Sequence, residues 1–371
     1  MSGAAMTRLL IVDDSALMRQ LITHIFSTQD DFEIHTARNG VEAVSKNRLV
    51  QPDVITLDIN MPEMDGLDAL ALIMAERPVP VVMLSSLTRQ GALATFEALN
   101  LGAVDFIAKP DGTISLSLGE VESELIAKVK AASRARLRKF TDPNKQFRHH
   151  KLPDRSPPPA TQEVSTTSLG GRQYSSNNPL VLIGVSTGGP RTLEEILPQM
   201  PANFPFPIVV AQHMPANFTR SLAERLNRYC QMEVLEANAE QPLLPGHIYI
   251  AAGNKDVVLA NQNGGMVIKP VAESPDYTWH PSVERLAQSA LQYCQPRRIM
   301  AVMLTGMGRD GSEAYTKLFN SGAETIAESE DTAVVFGMPD ALIRAGGASH
   351  VLPANAIAER IVQWSKTQKA R

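Results

Sequence analysis

Ser186 lies in Gly184-Val185-Ser186-Thr187-Gly188, directly after the apolar run Leu180 to Ile183 and just before a helical pattern that opens at Pro190. The G-x-S-x-G spacing on a strand, turn and helix exposes a hydroxyl beside backbone N–H groups that can hold a developing oxyanion. Small residues at a helix N-terminus serve a phosphate or dinucleotide cradle equally well, so this turn alone leaves a nucleophile and an anion cradle both open. His213, in Gln212-His213-Met214-Pro215, follows a second short apolar run, and Asp310, in Leu304-Thr305-Gly306-Met307-Gly308-Arg309-Asp310-Gly311, follows a third. Together these three types suit nucleophilic hydrolysis. A hydroxyl attacks only when a neutral imidazole takes its proton, and a carboxylate fixes the tautomer and stabilises the imidazolium. His280, in Trp279-His280-Pro281-Ser282, is the rival base. It precedes a helix rather than ending a strand, which suits a substrate groove.

A second constellation lies in the first third of the chain. Asp13 and Asp14 follow one apolar run, Asp58 another, Ser85 and Ser86 a further one, and Lys109-Pro110 the last. Carboxylates supply oxygen ligands for a divalent cation such as Mg²⁺, while a lysine and a hydroxyl engage phosphoryl oxygens. Capping of strand ends by Asp and Ser explains any one of these residues but not Asp13, Asp14, Asp58, a serine hydroxyl and Lys109 together.

To bring these residues together, five strand and helix units must alternate. The strands are read at Arg8 to Val12, Phe32 to Thr36, Val54 to Leu57, Val79 to Leu84 and Val104 to Ile107, and the last helix at Val121 to Leu137. That alternation predicts a doubly wound parallel sheet whose ligands gather at the carboxyl ends of its strands. The serine half repeats the logic with strands at Leu180 to Val185, Ile208 to Ala211 and Ile299 to Leu304. Helices are read at Phe218 to Tyr229, Ser282 to Tyr293 and Ser312 to Phe319. Between them, Glu233 to Pro270 reads as short strands and hairpins, including Ile248 to Ala251. The chain is thus α/β throughout: a flavodoxin-like five-stranded parallel sheet over 7–137, a flexible linker over 138–179, and a doubly wound, mostly parallel catalytic unit over 180–371. Both sheets gather reactive groups at their carboxyl edges, so the first unit can cover the serine turn by packing against its rim.

The first unit resembles the receiver domain of two-component response regulators on Val12-Asp13-Asp14-Ser15, Leu57-Asp58-Ile59-Asn60-Met61-Pro62 and Lys109-Pro110. The resemblance implies that Asp58 accepts a phosphoryl group from a chemotaxis histidine kinase. It further implies that Mg²⁺ is held by Asp13, Asp14, Asp58 and the carbonyl of Asn60, with Ser85 as switch hydroxyl beside Lys109. The serine, histidine and aspartate motifs resemble the CheB family of chemotaxis protein-glutamate methylesterases from about Leu180 onwards. This implies phosphorylation-activated hydrolysis of glutamate γ-methyl esters, and deamidation of certain glutamines, on methyl-accepting chemoreceptors. Ser186 is then the nucleophile, His213 the base, Asp310 its orienter and the Met307 N–H an oxyanion donor, with no cofactor for the ester step. Arg309 departs from the family, where asparagine is usual.

Composition is consistent with these readings. The 371 residues are 44% hydrophobic and 20% charged with net charge −4, which excludes a strongly basic nucleic-acid binder. Cys230 and Cys294 lack metal-ligand spacing. No run approaches the roughly 18 apolar residues of a membrane span, so a cytoplasmic protein with no direct membrane insertion is expected. Over 138–179, Pro-rich and polar sequence with excess Lys and Arg offers little to bury. Two other readings are a regulator with a DNA-binding output and a dinucleotide-dependent oxidoreductase. The first lacks a basic helical module, and the second lacks the later glycine of G-x-G-x-x-G.

Overall fold

The computed structural model describes residues 6–109, 118–137 and 174–369. Its first unit comprises β1 (Thr7–Val12), α1 (Ala16–Ser27), β2 (Phe32–Ala37), α2 (Gly40–Val50), β3 (Val54–Asp58), α3 (Gly66–Glu76), β4 (Val81–Ser85), α4 (Arg89–Leu101), β5 (Asp105–Ala108) and α5 (Leu118–Ala132). The strands pair in parallel in the order β2-β1-β3-β4-β5. Each of the first four helices starts on a side-chain cap, Ser15, Asn39, Asp65 or Thr88, which satisfies an N–H that the helix itself leaves open. The helical pattern read to Leu137 stops at Ala132 instead. Beyond it the Arg136 N–H donates to the Val334 carbonyl (3.3 Å), so a tertiary contact outcompetes continued helix.

The second unit begins with β6 (Leu180–Val185), α6 (Gly189–Ile196), β7 (Ile208–Gln212), α7 (Ala216–Tyr229), β8 (Glu233–Ala237), β9 (Gln241–Pro242), β10 (His247–Ala251), β11 (Asp256–Gln262) and β12 (Gly265–Val271). It continues through α8 (Val283–Tyr293), β13 (Ile299–Met303), α9 (Ser312–Asn320), β14 (Glu324–Glu328), α10 (Met338–Arg344), β15 (His350–Leu352) and α11 (Ala354–Lys369). Seven strands form a parallel sheet in the order β15-β14-β13-β6-β7-β10-β8, and β11-β12-β9 form a small antiparallel sheet. Ile248 to Ala251 is therefore not a hairpin strand as its short, punctuated sequence suggested. It is β10, inside the main sheet between β7 and β8, because its apolar residues are buried on both faces. β6, β7 and β13 are wholly buried, as continuous apolar runs covered by helices on both sides must be.

The two units pack together. α4 lies against α6 and α7, and the rings of Phe106 and Phe218 meet at 4.4 Å. Thr187 Oγ1 donates to Asp105 Oδ2 (2.7 Å) in the buried centre of the boundary. At its margins Arg89 pairs with Glu224 (3.0 Å) and Arg136 with Glu330 (2.7 Å). On the catalytic side the docked surface is the carboxyl edge anticipated above, where Thr187, Asn217 and Val334 follow β6, β7 and β14. On the receiver side it runs along α4, from the Leu87 carbonyl that accepts from Asn217 (2.8 Å) to Asp105 at the start of β5 and the segment after α5, whereas Asp58 and Lys109 lie at the ends of β3 and β5 remote from Asp105. Most of the connecting segment, 138–173, lies outside the described residues.

Candidate active site

Strand order brings the serine-half motifs together. β6 lies between β13 and β7, so the turn after β6 is flanked by the segments that leave the other two. Backbone bonds extend the sheet past its strands: Ser186 N–H donates to the Thr305 carbonyl (2.9 Å) and His213 N–H to the Val185 carbonyl (3.1 Å). The Gln212 amide donates to the carbonyls of Ser186 (3.0 Å) and His213 (3.1 Å), bolting the two turns to each other. Gly188 ends the serine turn at φ 78°, and a Cβ there would lie 2.6 Å from Val334 Cβ. A side chain at this position would be strained and would collide.

His213 Nε2 lies 2.8 Å from Asp310 Oδ2. A carboxylate accepts, so Nε2 carries the hydrogen and Nδ1 keeps its lone pair. Nδ1 is buried and has no protein partner. Among the described residues no hydrogen bond joins it to Ser186 Oγ, a contact that often closes only around substrate. Trp279 stacks on the imidazole at 6.0 Å and 18°.

Asp310 is held from the other side by the first turn of α8. Val283 N–H donates to Oδ2 (2.7 Å), and Ser282 Oγ and Glu284 N–H donate to Oδ1 (both 3.1 Å). Burial works against its charge. The His213 bond, with the two amides, outweighs that and holds the carboxyl below its ordinary range. Gly306 packs on the nucleophile, since a Cβ there would stand 2.7 Å from Ser186 Cβ. That approach places the Met307 segment beside Ser186.

In the first unit, carboxylate oxygens of Asp13, Asp14 and Asp58 lie within 4.8 Å of one another. Lys109 Nζ stands 2.8 Å from both Asp13 Oδ2 and Asp58 Oδ2. Burial raises the Asp58 carboxyl above its usual value, against the opposing pull of Lys109. Asn60 N–H reaches Asp58 Oδ1 at 3.4 Å. Three carboxylates form an all-oxygen donor set that fits a hard divalent cation. The Ser85 hydroxyl is fully buried and engaged by α4, accepting from Thr95 Oγ1 (2.7 Å) and donating to the Gly91 carbonyl (3.2 Å).

Comparison with known proteins bears on both sites. Residues 9–117 match the response regulator receiver domain and residues 181–361 the CheB methylesterase family. A protein-glutamate methylesterase/protein-glutamine glutaminase from Rhodospirillum rubrum is 50% identical over 98% of this chain and 98% of its own. This chain belongs to the CheB methylesterase family. A Rhodopseudomonas palustris methylesterase/glutaminase is 46% identical over 98% of this chain and 100% of its own. The solved catalytic domain of Thermotoga maritima CheB is 41% identical, covering 51% of this chain and 99% of that one, with a TM-score of 0.49.

The methylesterase keeps Arg309 exposed, so this departure from the family sits on the rim rather than within the Asp310 network. His280 is not joined to Asp310. Its Nδ1 lies 2.8 Å from Asp256 Oδ1. Burial pushes both cysteine thiols up to about 12, which suits inert side chains. Sequence reading did not pick out Gln212, Thr187, Thr305, Ser282 or Asp256. Ser282 is visible as a helix cap before an apolar helical pattern, and Asp256 as a lone carboxylate opening the run Val257 to Leu259. Neither position states what it will bind.

Proposed function

We propose that this methylesterase hydrolyses glutamate γ-methyl esters, and deamidates selected glutamines, on methyl-accepting chemoreceptors, under control of Asp58 phosphorylation by a chemotaxis histidine kinase. We take the chain as a receiver (7–137), a linker (138–179) and a catalytic unit (180–371) acting in the cytoplasm. Among the described residues no helix is long and apolar enough to cross a membrane.

The observation that carries the chemistry is the His213–Asp310 bond at 2.8 Å, which leaves Nδ1 as the free base next to the serine turn. Ser186 Oγ attacks the γ-carbonyl carbon as its proton passes to Nδ1, and Asp310 stabilises the imidazolium. The Met307 and Thr187 N–H groups face the oxyanion. Collapse breaks the bond to methoxide or amide, which leaves as methanol or ammonia with the proton from His213. Water, deprotonated by the same nitrogen, then hydrolyses the acyl-serine to release the receptor glutamate and restore Ser186. No cofactor enters these steps. The anion-cradle reading of the turn does not account for the adjacent His213–Asp310 pair.

In the receiver, Asp13, Asp14, Asp58 and the Asn60 carbonyl would hold Mg²⁺, which when bound supplies neutralising charge for phosphoryl oxygens. Lys109 already spans Asp13 and Asp58. Ser85 would exchange its α4 bonds for a phosphoryl oxygen. Methanol release from a γ-methyl-esterified receptor peptide tests the reading. Ser186→Ala and His213→Ala should each lose roughly 10⁴-fold or more in kcat, with the double variant little worse. Near-normal turnover by Ser186→Ala would refute it.

A further inference from the structure

Asp256, the first residue of β11, is fully buried and hydrogen-bonds to neither Ser186 nor His213. Four donors nevertheless converge on it. Oδ1 lies 2.8 Å from His280 Nδ1 and accepts Ser282 N–H at 2.8 Å. Oδ2 accepts Arg285 Nη1 at 2.7 Å and Ser274 N–H at 3.2 Å. Three of these donors belong to the approach to α8 and its first turn. Burial opposes the charge on Asp256, but His280, the Ser282 amide and Arg285 overcome it and keep the carboxyl below its ordinary range.

Ser282 is the shared member. Its N–H is held by Asp256, while its hydroxyl donates to Asp310 and also accepts Arg285 N–H (3.2 Å) as the cap of α8. The next two amides, of Val283 and Glu284, complete the grip on Asp310. Two carboxylate–imidazole pairs, Asp256–His280 and Asp310–His213, are thus joined through one serine. We infer that Asp256 is a positioning residue for hydrolysis: it fixes the first turn of α8 so that this turn can hold Asp310, and through Asp310 the base, in line. The inference rests on the Ser186, His213 and Asp310 reading. Its reach follows from tolerance, because a displacement near 1 Å in such a constellation costs on the order of 100-fold in rate.

Asp256→Asn keeps the shape but turns one acceptor into a donor facing other donors. In the phosphodonor-activated full chain, kcat should fall roughly 10- to 100-fold with KM changed less than about two-fold. Placed in an Asp310→Asn background, the same change should cost less than about two-fold more, because its route to the base is already cut. A purely structural role would instead repeat its full loss there. Unchanged kcat in Asp256→Asn, or full additivity with Asp310→Asn, overturns the inference. If Asp310→Asn itself remains active, the triad reading fails instead. Should Asp256→Asn fold poorly, Arg285→Gln, which takes a donor from the same carboxylate and no side-chain bond from Asp310, must show the same non-additivity.

Discussion

His213 presents Nε2 to its carboxylate and keeps Nδ1 for the proton. That choice follows from what surrounds the ring: Asp310 on one side, Trp279 on one face, and Gln212 fixing the backbone from which it projects. His280, by contrast, spends Nδ1 on Asp256 and retains some exposure. We propose that it lines the substrate path. His280→Ala should keep most of kcat and mainly raise KM, read from full saturation curves with the esterified peptide. If His280→Ala is as inactive as Ser186→Ala while His213→Ala turns over, the base has been assigned to the wrong histidine.

Elements, more than individual side chains, bring Ser186, His213 and Asp310 to one place. Each stands just past a wholly buried strand, and such runs are plain in sequence because burial on both faces demands unbroken apolar residues. Hence the three site motifs and most of the receiver's strands are legible from the chain alone; the edge strand β2, buried only at its two ends, is legible only from the strand and helix alternation around it. β10 was not, since a short strand between Pro and Gly residues looks the same whether it joins a hairpin or a central sheet. The supporting network was also illegible. Asp256 and Asp310 are separated by 54 residues, and only the close approach of β11 to α8 makes them neighbours through Ser282. The same helix packs as tightly on β6: a Cβ at Gly184 would lie 2.4 Å from Val283 Cγ1. Gly184→Ala should therefore push the first turn of α8 away from Asp310. We expect kcat to drop by at least about ten-fold while receiver phosphorylation, followed with a radiolabelled phosphodonor, is unaffected.

Across the whole molecule, Ser186 is only 4% exposed, and the docked receiver takes the hydroxyl of the very next residue for its own Asp105. We propose that docking restrains the nucleophile turn. The fit is imperfect, with a cavity of about 130 Å³ at the boundary lined by Met74, Leu99, Gly188 and Val334 among others. Such a boundary can separate more readily than a fully packed core. Asp58, the proposed phosphorylation site, lies at the end of β3 remote from Asp105, so on this reading its effect reaches Thr187 through the packing of β4, β5 and α4. Thr187→Val, which removes the hydroxyl that holds Asp105, should raise the unphosphorylated rate several-fold, consistent with about 1 kcal/mol for a hydrogen bond. Asp58→Asn should keep the low basal rate and ignore a phosphodonor. Equal rates for wild type and Thr187→Val, with and without phosphodonor, would mean that this contact does not govern access.

The charges at that boundary are unevenly owned. Asp105, Lys128 and Glu124 all belong to the receiver, with Lys128 Nζ 3.0 Å from Glu124 and 3.6 Å from Asp105. When the units part, this cluster leaves as a set and strands no ion on either face. What does break are the two exposed pairs, Arg89–Glu224 and Arg136–Glu330, each worth about 0–1 kcal/mol and screened over roughly 8 Å at physiological ionic strength. The closed chain is therefore fastened at its edge by bonds that dissolved salt loosens and at its centre by bonds that it does not. On the proposed restraint of the serine turn, a cell whose internal ion content shifts with osmotic stress would retune the resting output of this enzyme without touching its phosphorylation.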